Sequence, residues 1–299
     1  MEQTRMISMD WALLLALSIL WGGSFLAGRI AVQEVPAITL VLCRVAIAAL
    51  VLYAALRILK VAMPTDRAAW KDFAGMGLLN NIIPFTLIFQ GQVEIGAGLA
   101  AVINGMTPLW GALILRIAGA EALGLHKLIG ILIGIVGLGA VIGPSALEGI
   151  DASFWAQMMV VGGTISYGFA ALWGRRLRKY PPMVAATGQL SASSLMILPL
   201  ALLVDQPWQL PVPSIEVIVS ILGLAVLATA LAYVLFFRIL TSAGGTNVML
   251  VTLLIPPSAI LLGVLILGEK MTSNQLLGMV VILSGLVVID GRVFSFLKR

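Results

Sequence analysis

Ten stretches of roughly twenty mostly apolar residues follow one another along this 299-residue chain. Twenty residues wound as an α-helix span about 30 Å, the thickness of a bilayer's hydrocarbon layer. The stretches lie at 10–30, 36–57, 70–90, 95–118, 124–143, 153–173, 182–203, 214–237, 245–267 and 272–291. Inside hydrocarbon each backbone N–H and C=O must be satisfied within its own segment, which predicts an all-α membrane protein with ten transmembrane helices. A water-facing domain carries about 25% charged residues, whereas 61% of this chain is hydrophobic and 10% charged, too little polar surface to cover one. The first stretch is long enough to span and lacks a small-residue cleavage site, so it reads as a helix and not as a cleavable signal.

The helix-breaking residues repeat. Pro108, Glu121, Gly130, Gly137 and Gly143 have counterparts in Pro256, Glu269, Gly278, Gly285 and Gly291, each at an offset of 148 (256 − 108 for the prolines). Trp21-Gly22 and Gly28-Arg29 echo Tyr167-Gly168 and Gly174-Arg175 at an offset of 146 (167 − 21). Prolines and glycines set breaks and close approaches, so a constant spacing among them signals repeated architecture. The expected units are residues 10–143 and 153–291, with the boundary in Pro144–Asp151.

Lysine and arginine orient the spans. With the N-terminus inside, 15 of the 18 fall on the cytoplasmic side, among them Arg57, Lys71, Arg116, Arg176 and Arg238, while Arg29, Arg44 and Lys270 do not. Both termini are expected to be cytoplasmic. Five spans per unit is an odd number, so the second unit enters the membrane from the opposite side and the Glu121 and Glu269 loops lie on opposite faces. Such inverted repeats build many secondary transporters, with a substrate site near the midplane. The basic pI of 9.7 follows from this loop bias and implies no nucleic-acid partner.

Candidate site residues are those that hydrocarbon would not accept at mid-depth. Trp21 and Trp110 lie deep, unlike Trp11, Trp70, Trp155, Trp173 and Trp208 at span ends, and either line a cavity or pack between helices. Asn80 and Asn81, followed by Pro84 and Phe85, favour a cavity wall over interhelical bonding. Pro108, near Asn104 and Thr107, and Pro256-Pro257, near Thr252 and Ser258, are expected to break the fourth and ninth helices as hinges or binding points. Tyr167 is a strong aromatic candidate, while Tyr233 divides between the cavity and an interfacial belt. Ser191, Ser193 and Ser194 read as small packing residues before ligands. Arg44, about 12 Å into the second span, either snorkels or pairs with a helix end, or else holds a substrate carboxylate. The Gly130-Gly134 pair packs within the monomer or at a dimer seam, and the expected state is a monomer or weak homodimer.

Several activities lack their residues. One cysteine, Cys43, and one histidine, His126, cannot build a disulfide framework or a His/Cys metal site. No acid sits mid-span, which disfavours direct proton coupling. Neither an HExxH nor a GxSG motif is present for an intramembrane protease, and no GxxxxGK[ST] for ATP. No cofactor is called for. The resulting cavity is aromatic, amide-rich and nearly uncharged, suited to neutral or zwitterionic solutes whose ammonium can lie over a ring.

Trp21-Gly22-Gly23-Ser24-Phe25, Arg44, Pro108-Leu109-Trp110 with Glu121 and Gly130, and Pro256 with Gly268-Glu269-Lys270 and Gly278 resemble the drug/metabolite transporter superfamily. The likeness covers essentially the whole chain and is to its ten-helix members with two EamA domains, particularly the YddG-type bacterial amino-acid exporters. That resemblance implies an inner-membrane exporter of aromatic and other apolar amino acids, working by alternating access as a facilitator. Ala120 replaces the glycine usual before the glutamate, and the first-helix glutamate of the small multidrug relatives is missing. Proton-coupled multidrug or metabolite antiport is the alternative, and an intramembrane enzyme the remote one.

Overall fold

The computed structural model describes residues 7–120, 125–142, 152–248 and 250–290. Among these residues every regular element is helical. In chain order the helices are α1 (Ser8–Ala31), α2 (Ala37–Ile58), α3 (Arg67–Gln92), α4 (Ala97–Ile117), α5 (Leu125–Ile142), α6 (Ala152–Trp173), α7 (Pro182–Asp205), α8 (Ile215–Ala243), α9 (Val251–Leu267) and α10 (Ser273–Asp290). Six of them, α1 to α4, α7 and α8, are long and apolar enough to cross a membrane, and shorter apolar helices lie within α5, α9 and α10. Large apolar side chains such as Leu50, Val136 and Leu203 point outward, each more than two-thirds exposed (69%, 68% and 77%). On a soluble protein such faces would be an aggregation liability, and in a bilayer they meet lipid. Glu121, the Pro144–Asp151 boundary, Gly143 and Gly291 lie outside the described residues.

α5 and α10 run antiparallel against each other, and glycines allow their backbones to touch. A Cβ built on Gly130 would lie 2.6 Å from the Gly285 carbonyl oxygen, and one on Gly285 2.7 Å from that of Gly130. Gly137 and Gly278 meet in the same reciprocal way, at 3.0 and 2.7 Å. Three of these distances are shorter than real Cβ contacts, and a Cβ on Gly137 would also lie 2.8 Å from the Ile282 backbone nitrogen, so the close approach requires glycine at all four positions. Gly134 receives the Leu109 side chain of α4. Of the two readings of Gly130-Gly134, the packing is internal to the chain.

Prolines reshape two helices, α3 and α4. Pro84 has no N–H, and its ring crowds the carbonyl one turn earlier, so α3 widens to π winding over Leu78–Ile82, with Ile83 N–H bonded to the Leu78 carbonyl. α7 also widens to π winding, over Ala201–Asp205, downstream of Pro199, which sits inside the preceding helix. α4 breaks at Gly105 and Met106, and Pro108 restarts it in the first turn, where no N–H is needed. The expectation of a matching break in α9 is corrected: Pro256 and Pro257 ride inside a continuous helix from Val251 to Leu267. They sit only about one turn beyond its start, where few carbonyls precede them, and Pro256 fills the gap that α4 leaves at Gly105. Upstream of it Gly245–Val248 forms a short helical turn, and Leu250 caps the start of α9. α8 also winds as a π-helix, over Gly223–Leu231, with no proline in the segment.

The two ends of the bundle differ in chemistry. At the end holding the α6–α7 turn lie Arg57, Lys60, Arg67, Lys71, Arg116, Arg175, Arg176, Arg178, Lys179 and Arg238. There Lys179 pairs with Asp72 at 2.9 Å and Trp173 Nε1 donates to the Asp72 carbonyl, joining α6 and α7 to α3. The hydrogen bond and charge of Asp72 hold the Lys179 ammonium above its usual range. At the opposite end, carboxylates cap the starts of other helices. Asp205 accepts from Thr39 N–H (2.7 Å) and Oγ1 (2.8 Å) on α2, and Glu34 accepts from Ser214 N–H (2.7 Å) before α8. Glu269 accepts from Ala97 N–H (2.7 Å) and Gly98 N–H (3.0 Å) on α4. Negative charge at a helix N-terminus is stabilised by the unsatisfied N–H groups there. Gly268, the left-handed cap of α9 (φ +64°), turns the chain so that Glu269 reaches α4.

Candidate functional site

The helices enclose a cavity of about 890 Å³, large enough for a drug-sized solute. It reaches the basic end at Arg178 and Tyr180 and stops at Phe25, Phe89 and Gln92 short of the opposite end. Of the expected site residues it brings together Trp21, Arg44, Asn80, Phe85, Thr107, Pro108, Tyr167 and Tyr233. These come from α1, α2, α3, α4, α6 and α8, so both halves of the chain contribute.

Arg44 is the deepest charge in this wall. It is 6% exposed, its Nε donates to Thr229 Oγ1 at 2.9 Å, and its guanidinium stacks on Phe85, 3.9 Å from the ring centroid. Thr229 Oγ1 in turn donates to the Leu224 carbonyl at 2.8 Å within the π segment of α8. Neither snorkelling nor a helix-end pairing describes Arg44. Beside it Asn80 Nδ2 donates to Tyr233 Oη at 3.1 Å and Gln189 Oε1 at 3.3 Å. Tyr233 also stacks on Phe237, with centroids 6.0 Å apart and planes 15° from parallel, so it is a wall residue and not part of an interfacial belt. Tyr167 and Tyr233 both lie within electrostatic reach of Arg44. Trp21 leans on Phe236 at 5.7 Å, a further aromatic pair in the wall.

Other expected residues fall elsewhere. Asn81 is fully buried and donates to Ser193 Oγ at 3.0 Å, so it joins α3 to α7 and does not line the cavity. One helical position, roughly a quarter turn, separates it from Asn80. Trp110 is turned against α6, where its Cβ and backbone crowd Gly168, and it too is off the cavity wall. Pro84, Pro256 and Pro257 shape helices without lining the cavity. Thr107 is on the wall, but its hydroxyl donates to the Asn104 carbonyl at 2.8 Å, released by the break in α4.

Gln189, Thr229, Gln92 and Arg178 line the cavity without having been singled out in the sequence. Gln189, in the middle of an apolar span, carried the same signal as Asn80. Arg178 sits in a loop cluster of basic residues that topology alone explains. No group of acids, histidines or cysteines that could hold a metal occurs among the described residues.

An all-helical fold with lipid-facing sides and a solute-sized interior cavity defines a polytopic membrane transport protein. The chain belongs to the EamA-like transporter family, which matches residues 9–143 and again residues 154–290. Uncharacterized transporter YoaV of Bacillus subtilis is 22% identical over 96% of this chain and 97% of its own length. Protein PecM of Dickeya dadantii is 27% identical, covering 77% of each chain. A probable amino-acid metabolite efflux pump of Salmonella typhimurium is 26% identical over 97% of this chain and 96% of its own. A solved crystal structure with 18% sequence identity superposes with a TM-score of 0.67, covering 94% of this chain and 97% of that one, which establishes the shared fold.

Proposed function

We propose that this protein is a bacterial inner-membrane facilitator that exports aromatic and other apolar amino acids, or similar zwitterionic metabolites, by alternating access. The observation that carries the reading is the cavity: an aromatic enclosure with one buried arginine beside an amide and two tyrosine hydroxyls. An aromatic side chain fits against Trp21 and Phe236, and a carboxylate fits at Arg44 with its planar fork of donors. The efflux assignment of the Salmonella relative points the same way.

The mechanism rests on ten spans arranged as two inverted five-helix units, residues 10–143 and 153–291, with both termini cytoplasmic. The reciprocal contacts Gly130–Gly285 and Gly137–Gly278 support this arrangement. Each contact becomes the other when the units are exchanged at an offset of 148, and the helices that make them are antiparallel. A twofold relation between antiparallel helices has its axis across them, in the membrane plane. On this topology the basic end is cytoplasmic and the cavity faces inward, closed outside by the Glu34, Asp205 and Glu269 ties. Export is then a rocking motion that breaks those ties and closes the Arg178 mouth.

Purified protein in proteoliposomes should take up labelled phenylalanine, competed by aromatic amino acids and not by nucleosides or cationic drugs, with no response to an imposed pH gradient. Competition by cationic drugs together with stimulation by a pH gradient would instead establish proton-coupled multidrug antiport.

A further inference from the structure

Arg44 is a buried cation with nothing opposite it. Among the described residues no carboxylate pairs with it, and its only hydrogen bond uses Nε. Its terminal nitrogens therefore have no protein acceptor, although the side chain is nine-tenths buried and lines the cavity. Phe85 covers a guanidinium face, which leaves the edge with its donors for a ligand. Among the described residues the only other charged side chain in the wall is Arg178 at the mouth, so these residues contribute cations and no Asp or Glu. An unpaired buried charge is costly and is relieved by an anion that brings matching hydrogen bonds.

Resting on the transport reading above, we infer that Arg44 forms a carboxylate subsite and that the cavity selects its cargo as a monoanion, with the ammonium of an amino acid dispensable. The α-ammonium of a bound amino acid stays within a few ångströms of its own carboxylate, and therefore close to the Arg44 charge. Among the described residues nothing acidic in the wall offsets that repulsion; what the ammonium meets is ring faces and neutral acceptors, the Gln92 and Asn104 side-chain oxygens and the Tyr233 hydroxyl among them, and none carries the charge that would cancel Arg44. An aromatic or branched monocarboxylate without the amine keeps the Arg44 contact and the apolar contacts and avoids the repulsion. Arg178 at the mouth favours entry of the same sign of charge.

Uptake of labelled L-phenylalanine into wild-type proteoliposomes, competed by 3-phenylpropionate and by 2-phenylethylamine, tests this, with thermal shifts of the detergent-purified protein as a binding readout. The propionate should compete at concentrations no higher than unlabelled phenylalanine, and the amine only at tenfold higher or more. A potassium diffusion potential should alter flux of labelled 3-phenylpropionate but not of phenylalanine, because only the former moves net charge. Arg44→Gln should bring the three half-inhibitory concentrations, or the three thermal shifts, within about threefold of one another. Should that variant not assemble, the wild-type order decides alone. Phenylalanine transport with competition by the amine and none by the propionate overturns the inference and leaves the transport reading intact. A thermal shift by the propionate without uptake of phenylalanine supports the subsite and overturns amino-acid cargo. No uptake and no shift with any of the three overturns both.

Discussion

Replacing Glu269 with glutamine keeps the length of the side chain and removes the negative charge from the start of α4. Both carboxylate oxygens are in use, one on Ala97 N–H and one on Gly98 N–H, whereas an amide offers a single oxygen. A cap bond of this kind contributes about 1 kcal/mol, and the charge at a partly exposed helix N-terminus a further ~0.5 to 1 kcal/mol. If the tie exists only while that end is shut, its weakening raises the ratio of open to shut molecules roughly 10- to 30-fold. A cysteine at the cavity wall, Ser24→Cys in a Cys43→Ser background, reports that ratio through its labelling rate with a membrane-impermeant maleimide. With Glu269→Gln added, labelling from the acidic end should rise by about tenfold, and labelling from the basic end should fall. Equal labelling in both backgrounds, from protein of normal yield and melting temperature, would refute the reasoning that this carboxylate holds the end closed.

Asn80 and Asn81 should separate. Asn81→Ala removes a buried bond of about 1 kcal/mol and should lower the melting temperature by a few degrees with transport per folded molecule unchanged, while Asn80→Ala should raise KM several-fold at normal stability. Trp21→Ala should cut aromatic amino-acid uptake at least tenfold without loss of yield, measured in the same vesicles. Gly278→Ala places a Cβ 2.7 Å from the Gly137 carbonyl oxygen and should cost about 1 to 3 kcal/mol of stability in detergent, whereas Gly139→Ala, with nothing within 4 Å, should be neutral. The Ser214 backbone N–H, with help from its side chain, holds the Glu34 carboxyl below its ordinary value of 4.5. A depressed value means that the contribution is full above pH 4.5 and is lost as pH falls through the lower folded value. Wild-type melting temperature should accordingly drop further between pH 5 and 3 than that of Glu34→Gln.

Helix positions were legible because lipid leaves the backbone so few options: α2 was expected at 36–57 and observed at Ala37–Ile58. The largest shifts, equal in size, are at the end of α8, expected at 237 and found at Ala243, where Arg238 and Thr241 continue the helix past the apolar run, and at the start of α9, expected at 245 and found at Val251. Depth was also legible, and Trp21, Arg44, Asn80 and Tyr167, singled out by depth, all line the cavity. Azimuth was not. Asn81 and Trp110 share the depth of the site but lie on other faces, and helix rotation depends on packing that a single span does not encode. The prolines misled for a related reason. Pro108 and Pro256 are equivalent in sequence, but only α4 breaks there, because what a proline does depends on where its helix starts.

In the α5–α10 seam each helix supplies the groove into which the other's backbone fits. α5 belongs to the first half of the chain and α10 is its last described helix. During synthesis Gly130 and Gly137 therefore face lipid, or a chaperone, until residues 273–290 have left the ribosome. The first half cannot complete its own packing, and the interlocked glycines close only when the final helix inserts.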